Sequence, residues 1–209
     1  MSPKHPIARR SSGAPEARSK REALVLAAYH ELGERGFEGL RTREIAGAVG
    51  VNIATLHYYF PHKQDLVRSV VGHAMSRFRS TLEADGSAAD RLRSHFDGVR
   101  RLSRHEPELF RVMGELALRA ARDPAIATIL RKTDDAWHDT LRSLIAQAQR
   151  DGTIDRDLDA GAMAALIVAA LKGTYLLPAA LGQPRRLDQA LGELERSLGL
   201  RRATSARVR

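Results

Sequence analysis

Residues 42 to 66 read TREIAGAVGVNIATLHYYFPHKQDL, and the stretch divides into helix, turn and helix on spacing alone. Ile45, Ala46 and Val49 recur at the three-to-four interval that sets side chains on one helical face, so the first helix buries one side. Gly50 supplies the left-handed residue with which helices often stop. Asn52 follows as a good N-cap for the second helix. There Leu56 and Phe60 are expected in the core, with Ile53 at the same spacing, and Thr55, His57, Tyr58 and Tyr59 share the remaining surface. Pro61 ends the helix, because it lacks an amide hydrogen and biases Phe60 away from helical angles. Lys63 opens the next helix, where an ammonium and free backbone amides would together meet a phosphate. Two short helices joined by a tight turn make a helix-turn-helix, whose second member lies in the major groove of double-stranded DNA with its N-terminal residues at base edges. Plainer roles stand beside these: Thr42 as a helix cap, Tyr58 or Tyr59 as packing, Lys63 as a solvated lysine, His62 as a turn residue.

Residues of about 20 to 70 resemble the DNA-binding domain of the TetR (tetracycline-repressor-like) family of bacterial transcription regulators. The resemblance rests on the ELGERGFEGL turn, the IAGAVGV run and TLHYYFPHKQDL together. It implies that Thr42 and Arg43 contact phosphates and bases, that Ile53, Ala54, Thr55, His57 and Tyr59 lie on the recognition helix, and that Lys63 contacts a phosphate. The chain departs from the family pattern at His57, where the family usually has Tyr, and at Ile53, where a small polar or basic residue is common. Ile53 can offer only apolar contact, for example to a thymine methyl.

Ala, Leu, Arg and Glu dominate a chain of 209 residues that is 43% apolar, while β-branched and aromatic residues are sparse. That composition predicts an all-α protein, of about nine helices by the segments below, and the resemblance implies a three-helix helix-turn-helix domain at 19–66 followed by a larger helical effector-binding and dimerisation domain at 67–199. The absence of cysteine excludes disulfides and thiolate metal sites and suits a cytoplasmic location. The net charge of +9 is uneven: ten basic against seven acidic residues in 1–66, twenty against eighteen in 67–199, four against none in 200–209. Basic charge suits a nucleic-acid partner without establishing one. Residues 1–18 and 200–209 read as disordered basic tails. The first carries Arg9, Arg10 and Arg18, which either solubilise the chain or reach across phosphates or into a minor groove. No phosphate-cradling glycine loop, His-Glu-x-x-His pattern or nucleophile elbow occurs, so neither an enzyme nor a cofactor is expected.

Apolar periodicity, punctuated by Gly36, Asp85-Gly86-Ser87, Pro107, Pro124 and Asp151-Gly152, predicts helices at about 16–35, 63–83, 88–104, 107–121, 124–150, 159–180 and 185–199. Leu24, Ala28 and Leu32 form the buried stripe of the first, and Leu66, Val70, Ala74 and Phe78 that of the helix leading out of the reader. The segment from Ala160 to Leu181 is apolar nearly all round, so something must cover it. Lys172, Gly173 and Pro178 interrupt it short of the roughly twenty residues a membrane span needs. Its small residues Ala164, Ala165, Ala169 and Ala170, with the following stripe of Leu187, Leu191, Leu194 and Leu198, predict a homodimer interface over about 159–199, built of two helices from each chain. TetR-family proteins use their last two helices in this way, and a two-fold dimer addresses two half-sites one helical turn apart.

The family places an effector cavity between reader and dimer interface. Candidates for its lining are Phe96, Arg100, Met113, Leu116, Trp137, His138, Leu141 and Ile167. Plain core is the alternative for the apolar members, and ordinary surface exposure for Arg100 and His138. The resemblance implies a dimeric repressor released from a palindromic operator by an unidentified small molecule, and the alternative is a constitutive architectural DNA-binding protein without an effector. The scarcity of aromatics in the C-terminal region leans toward an aliphatic or mid-sized ligand over a large flat cation.

Overall fold

The computed structural model describes residues 13–82, 85–176 and 183–200. Among these residues the chain is all helical: α1 (Gly13–Arg35), a 3-10 turn at Phe37–Gly39, α2 (Thr42–Val49), α3 (Ile53–Tyr59), α4 (Lys63–Ser80), α5 (Ala88–His105), α6 (Pro107–Ala120), α7 (Pro124–Arg150), α8 (Ala160–Tyr175) and α9 (Gln183–Ser197). Arg9 and Arg10, the second tail from residue 201 and the end of the helix expected to reach residue 180 lie outside the described residues.

Helix ends follow local chemistry. Ser87 and Asp90 form a capping box that starts α5. Pro107 and Pro124 each occupy the first turn of a helix, where a missing amide hydrogen costs nothing. Asp123 caps α7 and Asp159 caps α8, each through backbone amides two and three residues ahead. At α2 the cap position falls on Arg41, with no side-chain capping bond, so Thr42 is the first helical residue and not the cap.

The first three helices assemble around α1, whose Leu24, Ala28 and Leu32 are fully buried with Ile45, Leu56 and Phe60. At about 1.5–3 kcal/mol for each buried large side chain, this small core holds the reader together. Helix α4 then runs without a break through the expected domain boundary at 66/67, burying Leu66 and Val70 on the reader side and Ala74 and Phe78 among α5, α6 and α7. Helix α6 lies back on α1: Glu108 meets His30 Nδ1 at 2.9 Å, and Arg111 donates to the Gly33 carbonyl at 3.1 Å and to Glu34 at 3.0 Å. Glycine at 114 permits α6 to close on the end of α8, since a Cβ there would lie 2.6 Å from the Tyr175 carbonyl oxygen.

The leucine stripe of α9 corrects one expectation. Leu187, Leu191, Leu194 and Leu198 are buried within the chain, where α9 packs on α5 and α8. The stripe is therefore already covered and cannot supply the apolar part of an interface with a second chain. The uncovered apolar face belongs to α8: Ala162, Ala165, Leu166, Ala169, Gly173 and Leu176 are exposed, Leu166 to 52% and Leu176 to 54%.

Candidate nucleic-acid interface

Helices α2 and α3 are joined by a turn that satisfies its own backbone. Gly50 sits at φ 72°, and the Val51 amide donates to the Ala46 carbonyl at 3.0 Å, closing the end of α2. Asn52 then starts α3: its Oδ1 accepts from the Thr55 amide at 2.7 Å and from the Thr55 hydroxyl at 2.9 Å. Thr55 thus spends its proton on the cap, which leaves its hydroxyl only as an acceptor toward any other partner. Ile45 and Ala46 of α2 and Leu56 of α3 bury their shared side.

That burial dictates what faces outward. Arg43, Ala54 and His57 are exposed, as are Ile53 at 38% and Tyr58 at 79%. Thr42, Thr55 and Tyr59 are half-buried, and Tyr59 packs against the core while the Tyr58 ring meets it edge-on, with centroids 5.1 Å apart. Arg43 pairs with no carboxylate among the described residues, whereas Arg35 and Arg41 are both drawn to Glu44 at 3.0 and 3.4 Å.

Lys63 is more constrained than its sequence position indicates. Its ammonium lies over the Phe37 ring, 4.4 Å from the centroid, and the Arg119 guanidinium at the end of α6 lies 4.5 Å from the same centroid. Partial burial, with the Arg119 charge as a lesser cause, holds the Lys63 ammonium below the usual lysine range. The backbone amides beside it are in part occupied: the His62 amide donates to the Asp65 carboxylate at 3.3 Å and the Asp65 amide to the His62 carbonyl at 3.0 Å. Phe37 was not singled out from sequence. It belongs to the glycine-aromatic turn, but that two cations from opposite parts of the chain converge on it is visible only in three dimensions.

Comparison with known proteins gives two family matches: a model described as bacterial regulatory proteins, tetR family, over residues 24–70, and one described as BetI-type transcriptional repressor, C-terminal, over residues 88–199. The chain belongs to the TetR family of bacterial regulatory proteins. It is similar to a TetR-family regulator from Rhodococcus sp., at 25% identity over 87% of this chain and 99% of that one with a TM-score of 0.74. It shares its fold with a transcriptional regulator from Saccharomonospora viridis solved in complex with choline, at 22% identity, 86% and 95% coverage and a TM-score of 0.70. Among curated proteins it is similar to the nucleoid occlusion factor SlmA of Haemophilus influenzae (strain PittGG), at 27% identity over 106 residues. That match takes in 48% of this chain and 49% of SlmA, so the chain spans about half the length of the curated relatives it matches first. As a TetR-family member this protein is a DNA-binding transcription regulator and not an enzyme.

In the C-terminal part of this TetR-family regulator, the residues expected around a cavity separate into four groups. Phe96, Met113, Leu116, Leu141 and Ile167 are buried in the continuous core. Arg100 is clasped to α9, its Nη1 and Nη2 each 2.8 Å from a different oxygen of Glu195, with Asp97 at 2.9 Å. His138 is half-buried with Nε2 3.2 Å from the Gly161 carbonyl oxygen. Trp137 lines a cavity of about 380 Å³ between α4 and α7, together with Met75, Phe78, Arg79, Leu82, Lys132, Thr133, Ala136 and Thr140. Of the α4 residues in this lining, Phe78 was legible as part of a buried helical face, but which helix that face meets was not. No described helix is long and apolar enough to cross a membrane.

Behind the cavity lies an aromatic cluster with unspent polar atoms. The Phe78 ring meets Trp137, Phe110 and Tyr175 at 5.7, 5.9 and 6.0 Å, and His95 meets Trp137 edge-on at 5.7 Å. The Thr81 hydroxyl donates to the Phe78 carbonyl at 2.6 Å, so toward His95, at 2.5 Å, it accepts, and His95 carries its proton on Nδ1. His95 Nε2, Trp137 Nε1 and the Tyr175 hydroxyl have no partner among the described residues. Burial pushes His95 down to about 4 and Tyr175 up.

Proposed function

We propose that this TetR-family protein is a dimeric, cytoplasmic repressor that reads a palindromic operator and is released by a small-molecule ligand. The observation that carries the dimer is the uncovered α8 face: a row of small apolar residues flanked by Leu166 and Leu176, with no charge along it, suits a second copy of itself. Small residues let two such helices approach closely, and the polar outer side of α9, with Gln189, Glu193 and Arg196, forms the rim.

At the other end of the chain, α3 enters the major groove. Ile53, Ala54, Thr55, His57 and Tyr58 meet base edges or the adjoining backbone, Tyr59 supports Tyr58, and Thr42, Arg43 and Lys63 fix register on phosphates. Ligand release acts through α4, which carries Lys63 at its first turn and the wall of the α4/α7 cavity at its last. A ligand shifts the DNA-binding equilibrium only by its difference in affinity between the two states. The Saccharomonospora viridis regulator, solved with choline, supports the reading that this architecture can hold a small molecule.

The test is selection of bound sequences from random duplex DNA by the purified protein at near-physiological salt, where phosphate attraction alone does not hold the complex. An enriched palindrome with two half-sites is expected. Binding only at low salt, without enrichment, overturns the reading in favour of an architectural protein.

A further inference from the structure

We infer that the cavity between α4 and α7 is a site for an amphiphilic anion, a carboxylic acid with a medium-length hydrocarbon tail. This rests on the ligand-responsive reading above and names the chemical class of the ligand. At about 380 Å³ the cavity falls within the range of small-molecule sites. Its inner wall is apolar: Met75, Phe78 and Leu82 on α4 face Trp137 on α7, all four buried. A flexible thioether and flat rings accommodate a methylene chain without demanding a fixed shape.

The charged groups of the lining favour an anion, while its two hydroxyls are neutral bystanders committed to their own helix. Thr133 and Thr140 donate their hydroxyl protons back to the Ile129 and Ala136 carbonyls of their own helix at 3.1 and 2.8 Å. They therefore offer a ligand no donor. That leaves Arg79 on α4 and Lys132 on α7, both exposed at the mouth, as the charged donors. The described lining contains no carboxylate, and Asp134, two residues beyond Lys132, is taken by Lys172. A cation entering here would meet two like charges and no carboxylate among the described lining residues. A carboxylate would bridge the two helices at the mouth, with its tail directed onto Phe78 and Trp137, so that binding also ties α4 to α7.

The chain has a single tryptophan, Trp137, so fluorescence excited selectively at tryptophan reports on the wall of this cavity. Decanoate, kept below the concentration at which it forms micelles, is titrated into the full-length protein beside choline and decyltrimethylammonium. The expected result is a saturable change of emission with decanoate and none with either cation over the same range. Shortening the acid should weaken binding roughly fourfold for each methylene removed. The double variant Arg79→Gln/Lys132→Gln, altered only at exposed positions, should weaken it about tenfold or more, and Ala136→Phe should block it by filling the cavity. No saturable change, equal response to decyltrimethylammonium, or unchanged decanoate affinity in the double variant overturns the proposal. DNA affinity is followed separately. Decanoate that binds without altering it leaves the ligand class standing and refutes ligand release; choline that releases DNA while decanoate fails to bind refutes the anion and leaves release standing.

Discussion

Replacing Glu195 by alanine removes the two carboxylate oxygens that hold the Arg100 guanidinium to α9 and so tests whether Arg100 is a clamp or a ligand contact. The two groups form a bidentate pair at 2.8 and 2.8 Å, with side-chain exposures of 16% and 18%. Truncating one partner of a fully buried pair costs about 3–5 kcal/mol, whereas exposed pairs contribute about 0.2–1 kcal/mol. Residual solvent and the remaining Asp97 and Asp188 contacts of Arg100, at 2.9 and 3.7 Å, lower the cost toward the middle of that interval. Glu195→Ala should therefore cost about 2 kcal/mol, or about 4–8 °C in Tm for a chain of this size. A double-mutant cycle with Arg100→Ala, by urea denaturation, should return a coupling of about 1.5 kcal/mol that declines only modestly with salt. Runs at several protein concentrations separate this from any change in association. A coupling below about 0.5 kcal/mol, or an Arg100→Ala protein of normal stability that no longer binds decanoate, would refute the clamp and return Arg100 to the list of ligand contacts.

Three other perturbations follow from the same geometry. His95 titrates at about 4 in the folded chain against an ordinary 6.5, so the unfolded state binds more protons in that window and stability falls as pH drops from 6.5 toward 4. The loss should approach about 3 kcal/mol, and His95→Asn should remove that component when urea midpoints are compared at pH 7, 5.5 and 4.5; parallel pH curves for the two proteins would contradict it. Lys63→Gln should weaken DNA binding evenly across sequences and make the log-affinity against log-salt slope shallower by about 0.9, whereas Ile53→Ala should change base preference at one position without moving the slope. Should Lys63 stay on Phe37 in the complex, the slope will not move. Gly50→Ala should cost about 1–2 kcal/mol, because φ is 72° there although a Cβ would touch nothing within 4 Å; a thermal melt unchanged from the parent would show that the turn can relax.

Local rules were sufficient wherever a structure depends on near neighbours. The stop at Gly50, the cap at Asn52, the starts at Pro107 and Pro124 and the whole of Pro124–Arg150 were legible because each is decided within a few residues by backbone angles and orphan amides. The inward sides of α1 and α4 were legible for a related reason: a period of three to four marks which face avoids water, whatever it is covered by. For the same reason the family could be recognised from 20–70 alone, since the reader is a run of local signals in a set order.

Periodicity does not say what covers a face, and there the tertiary structure decided. The leucines of α9 were correctly read as an apolar stripe, yet α5 and α8 of the same chain cover them, and the face left open is that of α8. Arg100 carries no sequence mark that distinguishes a ligand contact from a clamp on a helix ninety-five residues away. Lys63 and Arg119 converge on Phe37, and Arg79 and Lys132 meet at one cavity mouth, only because α4, α6 and α7 pack at particular rotations. Local sequence thus determined which segments are helical and which sides of them must be dry, because those are properties of neighbouring residues. The choice of partner for each dry side, and with it the cavity and the contacts of its charges, is a property of long-range packing that no single helix encodes.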